Sequence, residues 1–280
     1  MDRTQFEARL AACVESAPGN RLPAAIALRP ELAGMRYFDA PLVGYAAAGD
    51  ELFAQLKQPG AIGPHFLAPQ DWLPGAKTVI SVFLPFAAPV KRSNARAGRW
   101  PSDEWLHARI EGQAFQNELA RQLAGILIGA GFAALAPPLD PRFKTGAPNV
   151  ADKTQQDFYT SNWSERHAAY VCGLGSFGLS KGLITARGVA GRFLSLVTAA
   201  EFAPTPRAYT EIYAYCTRCG LCIRNCPVGA ISLEDGKNHP ACSAFLDETR
   251  EKYRPRYGCG KCQTRVSCMN RIPPPLRKRT

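Results

Sequence analysis

The sequence predicts an α+β protein in two modules: an N-terminal mixed α/β module over residues 1–203 and a smaller ferredoxin-like module over residues 204–280. Three observations carry this expectation. Eight of the ten cysteines fall between Cys216 and Cys268. Upstream of them, β-rich runs alternate with helical periodicity. Pro204-Thr-Pro206 separates the two regions as a linker.

The first module reads as follows. Residues 1–15 form an amphipathic helix with Phe6, Leu10 and Val14 on one face. Residues 19–34 are Pro-rich and irregular, and residues 50–58 form a short helix. The run from Lys77 to Leu84, closed by Pro85, is a buried central strand. Residues 87–102 are basic and broken by Gly and Pro, so they are expected to form a loop. Ser102, followed by Glu104 and Trp105, starts a helix that runs to Gly129. Its core face carries Leu106, Ile110, Phe115, Leu119, Leu123, Ile126 and Leu127. A short strand covers residues 132–135. Residues 137–162 lack periodicity, and a loop of that length is expected to serve as a lid or substrate wall. A helix follows over residues 163–171, then strands over 183–185 and 193–198.

The second module is organised by its thiols. The run Cys216-Thr-Arg-Cys219-Gly-Leu-Cys222-Ile-Arg-Asn-Cys226-Pro227 is C-x2-C-x2-C-x3-C-P. Steps of this length let three sulfurs reach three irons of one cube, and the fourth cysteine serves the other cluster. Cys242, Cys259, Cys262 and Cys268 complete a set of eight, the number two [4Fe-4S] clusters require. Cluster A is assigned Cys216, Cys219, Cys222 and Cys268; cluster B is assigned Cys226, Cys242, Cys259 and Cys262. Zinc and disulfides are the competing uses of such cysteines. Zinc favours two separated pairs or histidine partners, which the three x2-spaced thiols do not provide. The closing group is C-x2-C-x5-C, with Met269 rather than proline after Cys268.

The net charge of +11 is uneven. From Cys216 onward there are 13 Lys and Arg against 5 Asp and Glu. Two oxidised cubes with their thiolates contribute about −4, so Arg218, Arg224, Lys261 and Arg265 are read first as offsetting cluster charge. An anionic partner is the competing reading. No apolar run reaches membrane-spanning length, and no secretory or twin-arginine signal is seen. Cluster thiols without an export signal point to a cytoplasmic protein.

Gly173, Gly175 and Gly178 match the dinucleotide pattern G-x-G-x-x-G. A helix precedes them where a strand is required, and residues 189–196 lack the downstream acid. A glycine loop that lets backbone approach another large cofactor is the better reading.

Glu165-Arg166, the stretch from Gly173 through Leu174, Gly175, Ser176, Phe177 and Gly178 to Lys181, and the double cysteine set together resemble the epoxyqueuosine reductase family. That family is related to the cobalamin-dependent reductive dehalogenases. The resemblance spans residues 77–273 and makes this a short, divergent relative. It implies that the first module binds cobalamin and a small-molecule substrate, that electrons pass from cluster to cluster to cobalt, and that residues 173–178 and Lys181 meet the corrin. It further implies a proton donor seven residues before Arg166, which is Tyr159, or Asp157 if the alignment slips. A tyrosine with an ordinary pKa near 10 keeps its proton at neutral pH. Ser176 and Phe177 depart from the family motif, and the helical repeat module of the tRNA-acting members does not follow the clusters in this sequence. Both departures argue against tRNA as substrate.

The resulting function is that of an iron–sulfur oxidoreductase feeding cobalamin, supplied by a low-potential donor such as ferredoxin or flavodoxin. The alternatives are a cobalamin-free electron carrier, a reductive activator of a separate corrinoid protein and, more distantly, a tRNA epoxyqueuosine reductase. Cys172 and Cys13 are read as packing residues, and His107 and His167 are not assigned as metal ligands.

Overall fold

The computed structural model describes residues 1–146 and 160–275. A four-stranded antiparallel sheet forms its centre, in the order β1-β2-β6-β3. The strands are β1 (Leu42–Ala47), β2 (Thr78–Pro85), β3 (Ala134–Leu135) and β6 (Gly191–Thr198). A separate hairpin pairs β4 (Gly175–Phe177) with β5 (Leu183–Thr185).

Every residue of β2 is buried, because both faces of this central strand are covered. Ile80, Val82 and Leu84 point to one side and join Leu194 and Leu196 of β6. On that side lie α1 (Arg3–Glu15) and α5 (Asp103–Gly129). Val79 and Phe83 point the other way, toward Trp163 and α6 (Glu165–Val171). Burial on both faces turns strand alternation into a continuous apolar run, which is why β2 was legible in the sequence. The linker is held to this sheet: Thr205 N–H donates to the Tyr45 carbonyl at 2.9 Å, and Tyr45 N–H donates to Thr205 Oγ1 at 3.1 Å.

Helix α1 buries Phe6, Leu10 and Val14, as its periodicity requires, behind a capping box of Asp2 and Gln5. Helix α5 starts at Ser102, whose hydroxyl accepts from Trp105 N–H at 3.2 Å. Ile110 and Ile126 are only partly buried, while Trp105, Ala108 and Ala120 fill the core instead.

One expectation is overturned. Residues 88–96 form a helix, α4 (Ala88–Arg96), not a loop. Pro89 sits in the first turn, where its missing N–H costs nothing. Gly98 and Pro101 follow the helix end rather than interrupting it. Two short helices, α2 (Glu51–Gln55) and α3 (Pro69–Trp72), add Phe53 and Trp72 to the apolar cluster around Trp163. In the second module α7 (Leu221–Arg224) and α8 (His239–Tyr253) carry cysteines. Strands β1 and β4 and helix α8 are further elements that periodicity did not reveal. Among the described residues, no helix is long and apolar enough to cross a membrane.

Candidate metal centre and the recess beside it

The first four assigned thiols share one small cavity. Cys216, Cys219, Cys222 and Cys268 line it together with Ile184 and Val266. Left-handed backbone at Arg218 (φ 51°) and Gly220 (φ 72°) folds the chain tightly enough to aim the x2-spaced thiols one way. Ser267 Oγ lies 3.3 Å from Cys219 Sγ. Burial raises the Cys219 pKa, but hydrogen bonds from Ser267 and the Leu221 backbone outweigh it and lower the thiol. Cys268 is pushed up to about 12 by burial and then by Cys216, Cys222 and Cys219. Four thiolates packed so closely repel one another, and bound iron removes that cost.

The second four are gathered by more distant parts of the chain. Ala230 N–H donates to Cys226 Sγ at 3.2 Å. Cys242 sits in the first turns of α8, which Asn238 caps through Ala241 N–H at 2.9 Å. Cys259 and Cys262 flank Gly260, where a Cβ would stand 1.9 Å from the Trp105 ring. Only glycine lets this loop lie flat on that indole. Helix α4 clasps the same loop: Asn94 Nδ2 donates to the Cys259 carbonyl at 3.0 Å, and Lys261 Nζ donates to the carbonyls of Asn94 and Ala97, each at 2.9 Å. The helix that the sequence hid therefore positions two of the assigned ligands.

Burial, then Cys262, Cys242 and Cys226, push Cys259 up to about 12. Cys222 rises to about 11 through burial and then through the charges of Cys262, Cys216 and Cys219. All ten cysteines are free. Cys172 stands apart, fully buried, with Sγ donating to the Val79 carbonyl at 3.4 Å. Among the described residues, no three His, Cys, Asp or Glu gather as ligands of a single ion would. A cubane instead spreads its thiolates over four separate irons.

Charged and aromatic side chains of α6 and of residue 237 accompany the second four thiols. Arg166 of α6 is exposed. Burial lowers its pKa, and Cys262 and Arg109 are the charges that act on it. His167 follows, its Nδ1 2.7 Å from Ser164 Oγ and its ring 5.0 Å from that of Phe177. Burial, then Arg166 and Lys181, hold it down at about 4, so it is neutral at pH 7. Lys237 is raised against its burial by Cys262 and Cys242.

Glu165 is turned toward Ser195 of β6. Burial lifts it to about 8 despite hydrogen bonds from Ser195, and its Oε2 is buried without a partner. The folded state thus binds a proton that the unfolded chain releases near the ordinary value of 4.5. Its stabilising contribution is complete below about 4.5 and is lost as the pH rises through about 8. Stability should fall across that window by up to about 1.4 kcal/mol per pH unit. Glu165→Gln should flatten this slope in denaturant titrations run at pH 5, 6, 7 and 8.

The glycine stretch forms a hairpin rather than an open loop. A Cβ on Gly175 would stand 2.0 Å from the Ile184 carbonyl oxygen across the β4–β5 pair. Gly175 N–H donates to Tyr209 OH, Phe177 N–H to the Ile212 carbonyl and Gly178 N–H to the Gly182 carbonyl. Ser176 Oγ accepts from Tyr215 N–H at 2.8 Å. The bonds to Tyr209, Ile212 and Tyr215 tie the hairpin to the chain that leads into the cysteine run, and the Gly178–Gly182 bond closes its turn. Leu174 and Phe177 form an apolar cluster with Phe83 and Phe193. Lys181 is exposed, near Gly236. Asp157 and Tyr159 lie outside the described residues.

A 4Fe-4S binding domain model matches residues 209–232, which contain Cys216, Cys219, Cys222 and Cys226. Among solved structures, the catabolic reductive dehalogenase NpRdhA in complex with 3-bromo-4-hydroxybenzoic acid matches with a TM-score of 0.53 at 12% identity, over 96% of this chain and 37% of that one. A second NpRdhA structure matches at 0.53 and 14% identity, over 83% and 30%. The chain shares that fold. An epoxyqueuosine reductase from Bacillus subtilis also matches, with a TM-score of 0.48 at 19% identity, over 85% of this chain and 66% of that one. The chain thus spans under two thirds of that reductase and about a third of the dehalogenase. No curated protein matches significantly. The reductive-dehalogenase fold agrees with the resemblance read from the residues, and the matched domain makes this a 4Fe-4S-binding protein.

Lys237 was not singled out from the sequence.

Proposed function

We propose that the chain is an iron–sulfur oxidoreductase that passes electrons through two [4Fe-4S] clusters to cobalamin for the reduction of a small molecule. Cys216, Cys219, Cys222 and Cys268 hold one cluster; Cys226, Cys242, Cys259 and Cys262 hold the other. The observation that carries this reading is the cavity that Cys216, Cys219, Cys222 and Cys268 line together, within and just beyond the matched 4Fe-4S binding domain. Cys226, which follows Cys222 by four positions and is assigned to the other cluster, ties the two clusters into one path.

Cobalamin, when bound, supplies a metal centre that accepts electrons singly and delivers them to a bond the protein cannot reduce alone. The chain's own residues do the rest. Phe177 and His167 pack ring against ring, and His167, held neutral at pH 7, brings no charge to that contact. Arg166 and Lys237 face Cys262 and offset the negative cluster. Tyr159 or Asp157 is assigned as proton donor by the family resemblance. A low-potential ferredoxin or flavodoxin suits the entry of electrons at the first cluster.

Anaerobic titration of the cluster-loaded protein with cob(II)alamin tests this. Stoichiometric binding with a base-off EPR spectrum is expected. No spectral change, with about eight irons still bound, would refute the cobalamin assignment and leave an electron carrier.

A further inference from the structure

Among the described residues, three that are not glycine hold left-handed backbone, and all three are basic: Lys181 (φ 59°), Arg218 (φ 51°) and Arg265 (φ 54°). Glycine takes this conformation freely, whereas a residue with a side chain takes it at a cost. All three residues are exposed. All three also stand at the cavity of the first four thiols. Arg218 is part of its wall, Lys181 directly follows Ser180 of that wall, and Arg265 directly precedes Val266 of it.

Contacts join the three into one patch. Arg218 Nη2 donates to the Leu233 carbonyl at 3.3 Å. Leu233 belongs to a turn in which Ser232 N–H donates to the Gly236 carbonyl at 2.8 Å. A Cβ on Gly236 would stand 3.6 Å from Lys181 Cε, so this turn bridges Arg218 and Lys181. Arg265 is joined through α7, which begins directly after Gly220: Asn225, at its end, donates from Nδ2 to the Arg265 carbonyl at 3.1 Å. Leu233 and Ile272 are 44% and 37% exposed, and Ile272 adjoins Pro273 of the cavity wall. The turn also exposes Glu234 and Asp235, and Asp235 accepts from Ser232 Oγ at 3.3 Å. Lys181, Arg218, Arg265 and the exposed Arg224 outnumber these two acids.

Offsetting of cluster charge accounts poorly for these positions. Water screens an exposed guanidinium from a charge behind it, and glycine at position 218 or 265 would relieve the backbone. Exposed charge at the rim of a redox centre instead steers a partner of opposite sign and speeds encounter. Apolar residues among the charges give that partner a surface to pack against. The patch lies where an electron would enter the first cluster, which favours an electron carrier over a nucleic acid.

We propose that Lys181, Arg218 and Arg265, with Leu233 and Ile272, form the docking surface of a small acidic ferredoxin that reduces the first cluster. One electron leaves the reduced ferredoxin and one enters the oxidised cubane, with no bond made or broken. This rests on reading Cys216, Cys219, Cys222 and Cys268 as the ligands of one cluster. It does not require cobalamin, and it gives Lys181 to the donor rather than to the corrin.

The test is stopped-flow reduction of the anaerobic, cluster-loaded full chain at low salt, without cobalamin. One reductant is a reduced acidic [2Fe-2S] ferredoxin and the other is the small cation of reduced methyl viologen. The ferredoxin should reduce the parent at a rate that falls as salt rises. Arg218→Glu combined with Arg265→Glu should slow that reaction by about tenfold or more at low salt, and the difference should vanish at high salt. Arg218→Lys combined with Arg265→Lys keeps the charge and should keep most of the rate. Methyl viologen should reduce the parent and both variants alike, and about eight irons per chain establish that the clusters are intact. If the ferredoxin reduces the glutamate variant as fast as the parent, or if salt leaves the parent's rate unchanged, the proposal is overturned. It is also overturned, in favour of a nucleic acid, if those rates are indifferent while an RNA oligonucleotide binds the parent and not the glutamate variant. A chain that methyl viologen cannot reduce would remove the cluster reading and this proposal together. Reduction by methyl viologen with indifference to the ferredoxin would remove this proposal alone.

Discussion

Cys262→Ser should leave about four irons per chain where the parent holds about eight. The same loss is expected from Cys268→Ser, but the surviving cluster should differ. Each four is a separate set of ligands. Cys268 is raised by Cys216, Cys222 and Cys219, and Cys259 by Cys262, Cys242 and Cys226. A double variant therefore separates the assignments. Cys216→Ser with Cys268→Ser should lose no more iron than either alone. Cys262→Ser with Cys268→Ser should lose nearly all of it. Iron analysis with EPR of the dithionite-reduced proteins gives the answer. Equal iron in both double variants would show that the ligands are divided differently.

Trp163→Ala should destabilise the first module by about 3–5 kcal/mol, the largest effect expected of a single core substitution here. Trp163 is 2% exposed. Its ring stacks on Phe53 at 6.1 Å and Phe66 at 5.6 Å and meets Trp72 edge-on at 6.3 Å. Its Nε1–H donates to Ser195 Oγ at 2.9 Å. Truncation removes the ring packing and a buried donor together. The site should suffer with the core, because Trp163 directly precedes α6, which carries Arg166 and His167. Trp163→Phe keeps most of the ring area and should cost clearly less. Anaerobic guanidinium titrations followed by circular dichroism measure both. A loss under about 1 kcal/mol for Trp163→Ala would mean that this aromatic cluster repacks freely.

The elements legible in the sequence were those whose signal is local. Helix α1 shows three buried residues four apart, Phe6, Leu10 and Val14. Helix α5 announces itself through the Ser102 cap. Strand β2 is an unbroken apolar run because both its faces are covered. Other elements lacked such a signal. Helix α4 is short, basic and proline-bearing, and it is helical because Val90, Lys91 and Asn94 are buried against neighbours far along the chain. Helix α8 buries only Phe245 and Thr249, too few for a visible stripe.

The same division runs through the site. Cysteine spacing by itself determined the cluster chemistry, because short chain steps restrict where neighbouring sulfurs can point. The glycine spacing was visible too, but its use was decided in three dimensions: Gly175 serves the contact of β4 with β5 rather than an open loop. The seat of Cys259 and Cys262 was decided by tertiary structure alone. Asn94 of α4 reaches the Cys259 carbonyl across 165 positions of sequence, and Gly260 lies against the Trp105 ring of α5, where any Cβ would collide. No local pattern announces such contacts, because the groups that make them come together only when α4 and α5 pack against this loop.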